Sequence, residues 1–273
     1  MIHTGPKSQQ IAVAVIPARY SATRLPGKPL LLIGGKPLIT WVAERARAAR
    51  TVSRTIVATD DTRIAAAADN AGFDVVMTRA DHQTGTDRVA EVAHNLRAEL
   101  IVNVQGDEPL IDPVTIDRAV EALANDPKAQ MSTTYESIED AAEVVDRSVV
   151  KVTFDSEGYA TMFSRRPIPL SGQAVEKHGS IEAAIGSEPA LLFHFKKHTG
   201  LYAYRRSFLL EFTRWPQSER EREESLEQLR ALDRGVKIKV VEAASRSIGV
   251  DTAEDLERVR AMILGTHASG LSL

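Results

Sequence analysis

From Ile11 to Ala124, short apolar runs alternate with amphipathic stretches, and this order limits the possible folds more than any other feature. Ile11–Ala18 reads as a buried strand that flows into a glycine-proline loop ending near Leu30. Ile39, Val42, Ala46 and Ala49 then recur at helical spacing, with Glu44, Arg45 and Arg47 facing elsewhere. Thr55–Thr59 is the next strand. Asp60 and Asp61 open a helix to about Ala71, where carboxylates suit the positive helix end, and Gly72 stops it. Asp74–Met77 and Leu100–Val104 read as strands around a helix marked by Val89, Val92, Ala93 and Leu96. Pro113 starts another helix, at a position where proline is tolerated. This βαβα order predicts an α/β fold: a mostly parallel twisted sheet with helices on both faces. Right-handed crossovers then put ligand loops at the carboxyl ends of the strands.

The pattern changes after Met131. Strand-like pieces fall at Met131–Tyr135, Val149–Phe154 and Leu201–Tyr204, and Ser171–Lys197 reads as irregular cover for a site mouth. Ser218–Arg234 reads as one charged helix with Leu226 and Leu229 inward. Val236–Val241 is a strand and Thr252–Leu264 a last helix. The 273 residues suit one large α/β domain over 11–273 behind a loose polar tail over 1–10. With 43% apolar and 26% charged residues the chain can build a core. The net charge of −3 argues against a nucleic-acid partner. The absence of cysteine excludes disulfides, thiolate metal sites and a cysteine nucleophile. No apolar run approaches a membrane span, so no membrane insertion is expected.

Several strand ends carry residues suited to chemistry. The loop after the first strand holds Arg19, Arg24 and Lys28 with Gly27 and several prolines, a set of cations fit for a nucleoside triphosphate. It is neither a Walker A loop nor a dinucleotide fingerprint, which argues against a nicotinamide oxidoreductase. By composition it reads equally as a charged surface loop. Gln105-Gly-Asp-Glu-Pro109 follows a buried strand, so Asp107 is either a magnesium ligand or a turn-shaping residue. Asp251 reads from spacing as a helix N-cap, boxed by Glu254, unless folding brings it to Asp107. The segment Arg79–Arg88 offers Gly85 and small polar residues to a nucleobase edge, or a helix entry capped by Thr84 or Thr86. His194 and His198 have zinc-like spacing but lack a third ligand, so zinc is rejected.

Four segments occur in order: Ile16–Leu30, Met77–Arg88, Val102–Pro109 and Gly249–Leu256. Together they resemble the 3-deoxy-manno-octulosonate cytidylyltransferase family over nearly the whole stretch from Ile11 to about Met262. The resemblance implies CTP and the acidic sugar 3-deoxy-D-manno-octulosonate (Kdo) as substrates, Mg2+ as cofactor, a cytoplasmic location and a homodimer. It implies a CTP-binding half over about 11–130, a sugar-binding and dimerisation part over about 131–245, and a final helix returning to the sheet. By resemblance, Ala18, Arg19, Arg24 and Lys28 meet the nucleotide and its phosphates, and Arg79 and Gly85 lie by the cytosine. Gln105 and Gly106 sit near ribose and sugar, and Asp107 and Asp251 bind magnesium. Arg165, His198, Tyr202, Glu227 and Gln228 meet the sugar. Lys28, Asp107 and Arg19 carry the catalytic load in this expectation. Two alternatives stand beside it: transfer to a related acidic sugar (an amino-Kdo or a sialic acid), or a nucleotide-binding regulatory protein without catalysis.

Overall fold

A computed structural model describes residues 11–21, 25–168 and 172–268. The expected tail over 1–10 and Arg24 lie outside the described residues. The strands are β1 (Ala12–Ala18), β2 (Leu32–Ile33), β3 (Lys36–Pro37), β4 (Val52–Thr59), β5 (Asp74–Met77) and β6 (Leu100–Asn103) in the first half. The second half adds β7 (Met131–Ser137), β8 (Lys151–Phe154), β9 (Ala160–Ser164), β10 (Lys196–Arg205) and β11 (Ile238–Glu242). The helices begin with α1 (Leu38–Ala48), α2 (Thr62–Asn70), α3 (Gly85–His94) and α4 (Pro113–Ala124). They continue with α5 (Ala141–Val145), α6 (Gly172–His178), α7 (Ile181–Ser187), α8 (Arg206–Phe212), α9 (Glu219–Glu224), α10 (Gln228–Asp233) and α11 (Ala253–Ala268).

Among the described residues the main sheet runs β11-β7-β10-β6-β1-β4-β5, with the β8–β9 hairpin joined to β10. β1 pairs in parallel with β4 and β6, as does β4 with β5 and β11 with β7. Only β10 is reversed within that row, antiparallel to both β6 and β7. The expectation of a mostly parallel sheet covered on both faces is therefore met. Ala12, Ala14 and Ile16 of β1 face one core with α1, α4 and α11, while Val13 and Val15 face another with α3 and α8. Burial on both faces explains why β1 reads as a continuous apolar run rather than an alternating one.

Three sequence expectations need correction. Residues 172–197 are not irregular: α6, α7 and a 3-10 turn at Pro189–His194 occupy them before β10 begins. These pieces pack Ile185 and Phe195 on Ile138 and Val144 in a small satellite core, and each is too short to show a helical period. Ser218–Arg234 is not one helix. Ser225 adopts a left-handed φ of 52° and separates α9 from α10. The break lets Arg230 turn back onto Glu221, where its guanidinium makes paired bonds of 2.8 and 2.6 Å. Finally, Asp251 is not boxed by Glu254. Thr252 and Asp255 exchange the reciprocal capping bonds, with Thr252 N–H on Asp255 Oδ2 at 2.9 Å and Asp255 N–H on Thr252 Oγ1 at 3.1 Å.

Candidate active site

Pro17, at the end of β1, is the point where three loops meet. A Cβ on Gly106 would lie 2.7 Å from the Pro17 carbonyl oxygen, and one on Gly85 3.3 Å from its ring. Neither glycine adopts a left-handed φ, so both are required by close approach rather than by backbone conformation. Arg19 ties the same loops from the other side. Its guanidinium donates to the carbonyls of His82 at 2.5 Å and Thr84 at 3.0 Å. Ala18 is buried beside it, whereas Arg79 is largely exposed and pairs with Asp81 at 3.4 Å. Thr84 caps α3 in a reciprocal box with Asp87.

Gly27, at a φ of 70°, turns the first loop into a 3-10 turn over Lys28–Leu30. That turn aims Lys28 back at the carboxyl end of β6. The ammonium lies 2.8 Å from Asp107 Oδ2 and 3.0 Å from Asp251 Oδ1. Val250 N–H donates to the Asp107 carbonyl at 2.9 Å, which joins the two carboxylate segments through the backbone as well. Burial works against the Lys28 charge, but the Asp107 and Asp251 carboxylates outweigh it and raise the pKa above the ordinary lysine value. The site thus gathers two hard oxygen donors from distant segments around one cation. No group of three or more His, Asp or Glu side chains suited to a metal occurs among the described residues. A pair of carboxylates fits magnesium, which takes one or two carboxylates and completes its shell with phosphates and water.

The reversal of β10 places the second half of the site. Tyr202 pairs with Asn103 in the register of β6, so His198–Gly200 run past the strand's carboxyl end. Gly200 consequently sits against Gln105, whose Cγ would be 3.2 Å from an added Cβ. His198 bonds Thr133 Oγ1 at 2.9 Å and stacks edge-on with Phe163. Burial pushes its pKa down to about 3, so the imidazole is neutral. Tyr202 follows in the same aromatic row. Glu227 faces the start of α3, with Thr86 Oγ1 donating to its Oε2 at 2.8 Å. Burial pushes Glu227 up to about 7, against the opposing pull of Thr86 and Arg230. Gln228 is buried, and its amide nitrogen finds no partner among the described residues. Arg165 stands at the end of β9, its Nε donating to the Glu224 carbonyl at 2.8 Å.

A family model described as Cytidylyltransferase matches residues 13–238. The 3-deoxy-manno-octulosonate cytidylyltransferase of Geobacter sulfurreducens is 50% identical over 246 residues, covering 90% of this chain and 96% of that one. The chain belongs to this family. Its relative in Syntrophotalea carbinolica, of the same name, is 51% identical over 92% of this chain and 98% of its own. Among solved structures, a CMP:2-keto-3-deoxy-manno-octonic acid synthetase complexed with CTP superposes with a TM-score of 0.83 at 42% identity. It covers 93% of this chain and 98% of that one. A cytidylyltransferase from Leptospira borgpetersenii, 18% identical with a TM-score of 0.60, shares the fold.

Some residues that shape the site gave no signal of their own in the sequence. Lys151 is fully buried and its ammonium donates to the carbonyls of Asp146, Val149 and Arg165, which anchors the backbone at Arg165. Glu108 bonds Ser247 beside the Asp107 segment, and burial pushes it up to about 7. Asn103 is the sole polar residue of β6, and that break in an apolar run was the one available hint.

Proposed function

We propose that this chain transfers CMP from CTP to Kdo and releases pyrophosphate. The observation that carries the reading is the convergence of Lys28, Asp107 and Asp251 at the carboxyl edge of the parallel strands, next to Gly106 and Pro17. The choice of CTP and Kdo follows from the names of relatives that match about half of the residues over nearly the full length.

In this reading the anomeric 2-hydroxyl of Kdo attacks the α-phosphorus and gives up its proton to solvent, and the bond from that phosphorus to the bridging oxygen of the departing pyrophosphate breaks. No protein nucleophile takes part, so alignment and charge carry the catalysis. Lys28 and Arg19 lie toward the phosphates. Ala18, Gly85 and Arg79 border the nucleoside, and Gln105 with Gly106 separates nucleotide from sugar. Arg165, His198, Tyr202, Glu227 and Gln228 enclose Kdo. His198, being neutral, offers a hydrogen bond rather than a charge. Asp107 and Asp251 would hold magnesium, which supplies a hard cation to the phosphates when bound. By the same resemblance we read the enzyme as a cytoplasmic homodimer.

The test is pyrophosphate release by the purified protein with CTP and Mg2+, run against Kdo, an amino-Kdo and a sialic acid. Kdo should be the preferred acceptor, with CMP-Kdo identified by mass. Preference for another sugar would overturn the acceptor assignment. No release with any acidic sugar would overturn transfer itself. Size-exclusion chromatography reads the dimer directly.

A further inference from the structure

A line of hydrogen bonds, buried at Asn103 and Thr86, joins two residues read above as substrate contacts. Gln105 Nε2 donates to Asn103 Oδ1 at 3.1 Å. Asn103 Nδ2 donates to Thr86 Oγ1 at 3.4 Å. Thr86 Oγ1 donates to Glu227 Oε2 at 2.8 Å, and Thr84 Oγ1 faces Glu227 Oε1 at 3.4 Å. Asn103 is 1% exposed and Thr86 4%. Thr84 already caps α3, so Thr86 is not needed for that task.

The line has one direction. A hydroxyl has a single proton, and an ionised carboxylate only accepts. With Glu227 ionised, the Thr86 proton goes to Glu227 and its lone pair accepts from Asn103. The Asn103 amide is then oriented with its carbonyl toward Gln105, which in turn orients the Gln105 amide. A protonated Glu227 can donate, so the Thr86 hydroxyl is released and the order is lost. The other charged or titratable groups around Glu227 are Asp87 of α3, Glu221, Arg230, Tyr202 and Tyr204. Arg230 lies 3.8 Å from Glu227 but is engaged more closely by Glu221, at 2.6 Å.

We propose that Thr86 and Asn103 are positioning residues that lock Gln105 and Glu227 into one mutual orientation, so that acceptor sugar and nucleotide are aligned together. The proposal rests on the reading of Gln105 and Glu227 as substrate contacts. Neither Thr86 nor Asn103 is assigned a contact of its own with substrate.

Steady-state kinetics of Thr86→Val, Thr86→Ser and Asn103→Asp against pH test it, with Glu227→Ala as a separate control on the underlying reading. Removing the hydroxyl takes away a bond that favours the Glu227 anion, so the carboxyl should protonate at still higher pH. Thr86→Val should lower kcat/KM for Kdo about 10-fold near neutral pH, the scale of a lost hydrogen bond to a charged group, while KM for CTP holds within about 2-fold. The acid limb of its profile should move to higher pH, and a deficit should remain in alkali, where the parent line is ordered and the valine has no hydroxyl to order it. Thr86→Ser should restore both rate and limb. If Thr86→Val fails to fold, as read by its thermal melt, the limb is read in Asn103→Asp, where a second acceptor competes for the Thr86 proton and the same alkaline displacement is expected. An unmoved acid limb, a deficit that vanishes in alkali, or a serine variant as impaired as the valine one would overturn the positioning role. Unchanged Kdo kinetics in Glu227→Ala would instead overturn the assignment of Glu227 to the sugar.

Discussion

The Lys28 ammonium stands 3.0 Å from the Asp251 carboxylate across 223 positions of sequence. With Asp107 at 2.8 Å on the same ammonium, one lysine holds together the first loop, the end of β6 and the entry to α11. The two carboxylates would otherwise repel one another. Lys28 therefore holds the acidic pair together.

The first prediction concerns Asp107. Asp107→Asn should lower turnover by at least about 100-fold, the scale of removing one preorganised electrostatic group from a reacting centre. The readout is pyrophosphate release at saturating magnesium. Near-normal turnover there would refute the role of this carboxylate.

Gly106 should tolerate no side chain. A methyl group would be forced to 2.7 Å from the Pro17 carbonyl, a backbone atom that cannot swing away. Gly106→Ala should cost roughly 1–3 kcal/mol, as overpacking does, and should weaken CTP binding because the strand ends part. Urea unfolding and calorimetry measure the two effects. A stable variant with parental CTP affinity would show that the close approach is dispensable.

His198 should make the fold acid-sensitive. Its ordinary pKa is 6.5 and its folded value is about 3. As pH falls below 6.5, the unfolded chain gains a proton that the folded chain refuses, so stability drops until pH approaches 3. The slope is on the order of 1 kcal/mol per pH unit. Glu227, raised from 4.5 to about 7, tilts the other way, since its folded form holds the proton more tightly over that window. Comparing the parent with His198→Gln cancels Glu227, which both contain. The variant should lose less stability from neutral pH down to about pH 5. Parallel urea midpoints in the two proteins would contradict the assignment.

Arg230 is the last case. It is buried against Glu221, with both side chains less than a tenth exposed. Arg230→Met should cost about 3–5 kcal/mol, because it leaves a buried carboxylate without its partner. Adding Glu221→Leu should recover much of that loss in a urea titration, since two apolar groups remove the stranded charge. A double variant as unstable as the single one would mean that packing, not charge, sets the cost.

The sequence by itself determined the alternation of strands and helices through Ala124, the buried run of β1, the start of α4 at Pro113 and the placement of Lys28, Gly106 and Asp107 at strand ends. Those are local matters of hydrophobic period, turn chemistry and chain order. It also carried the long motifs by which the family is recognised. By spacing alone Asp251 was a helix cap, because a carboxylate just before a helix is satisfied by local N–H groups. Only tertiary structure, by giving the capping to Thr252 and Asp255, turned Asp251 toward Lys28. The break at Ser225 was likewise hidden, since the bond between Arg230 and Glu221 that accompanies it is a contact between two helices. The reversal of β10 had no local signature either, for strand direction is set by the connections around it. That reversal carries His198–Tyr202 to the edge where Asn103 ends β6 and Gln105 follows it.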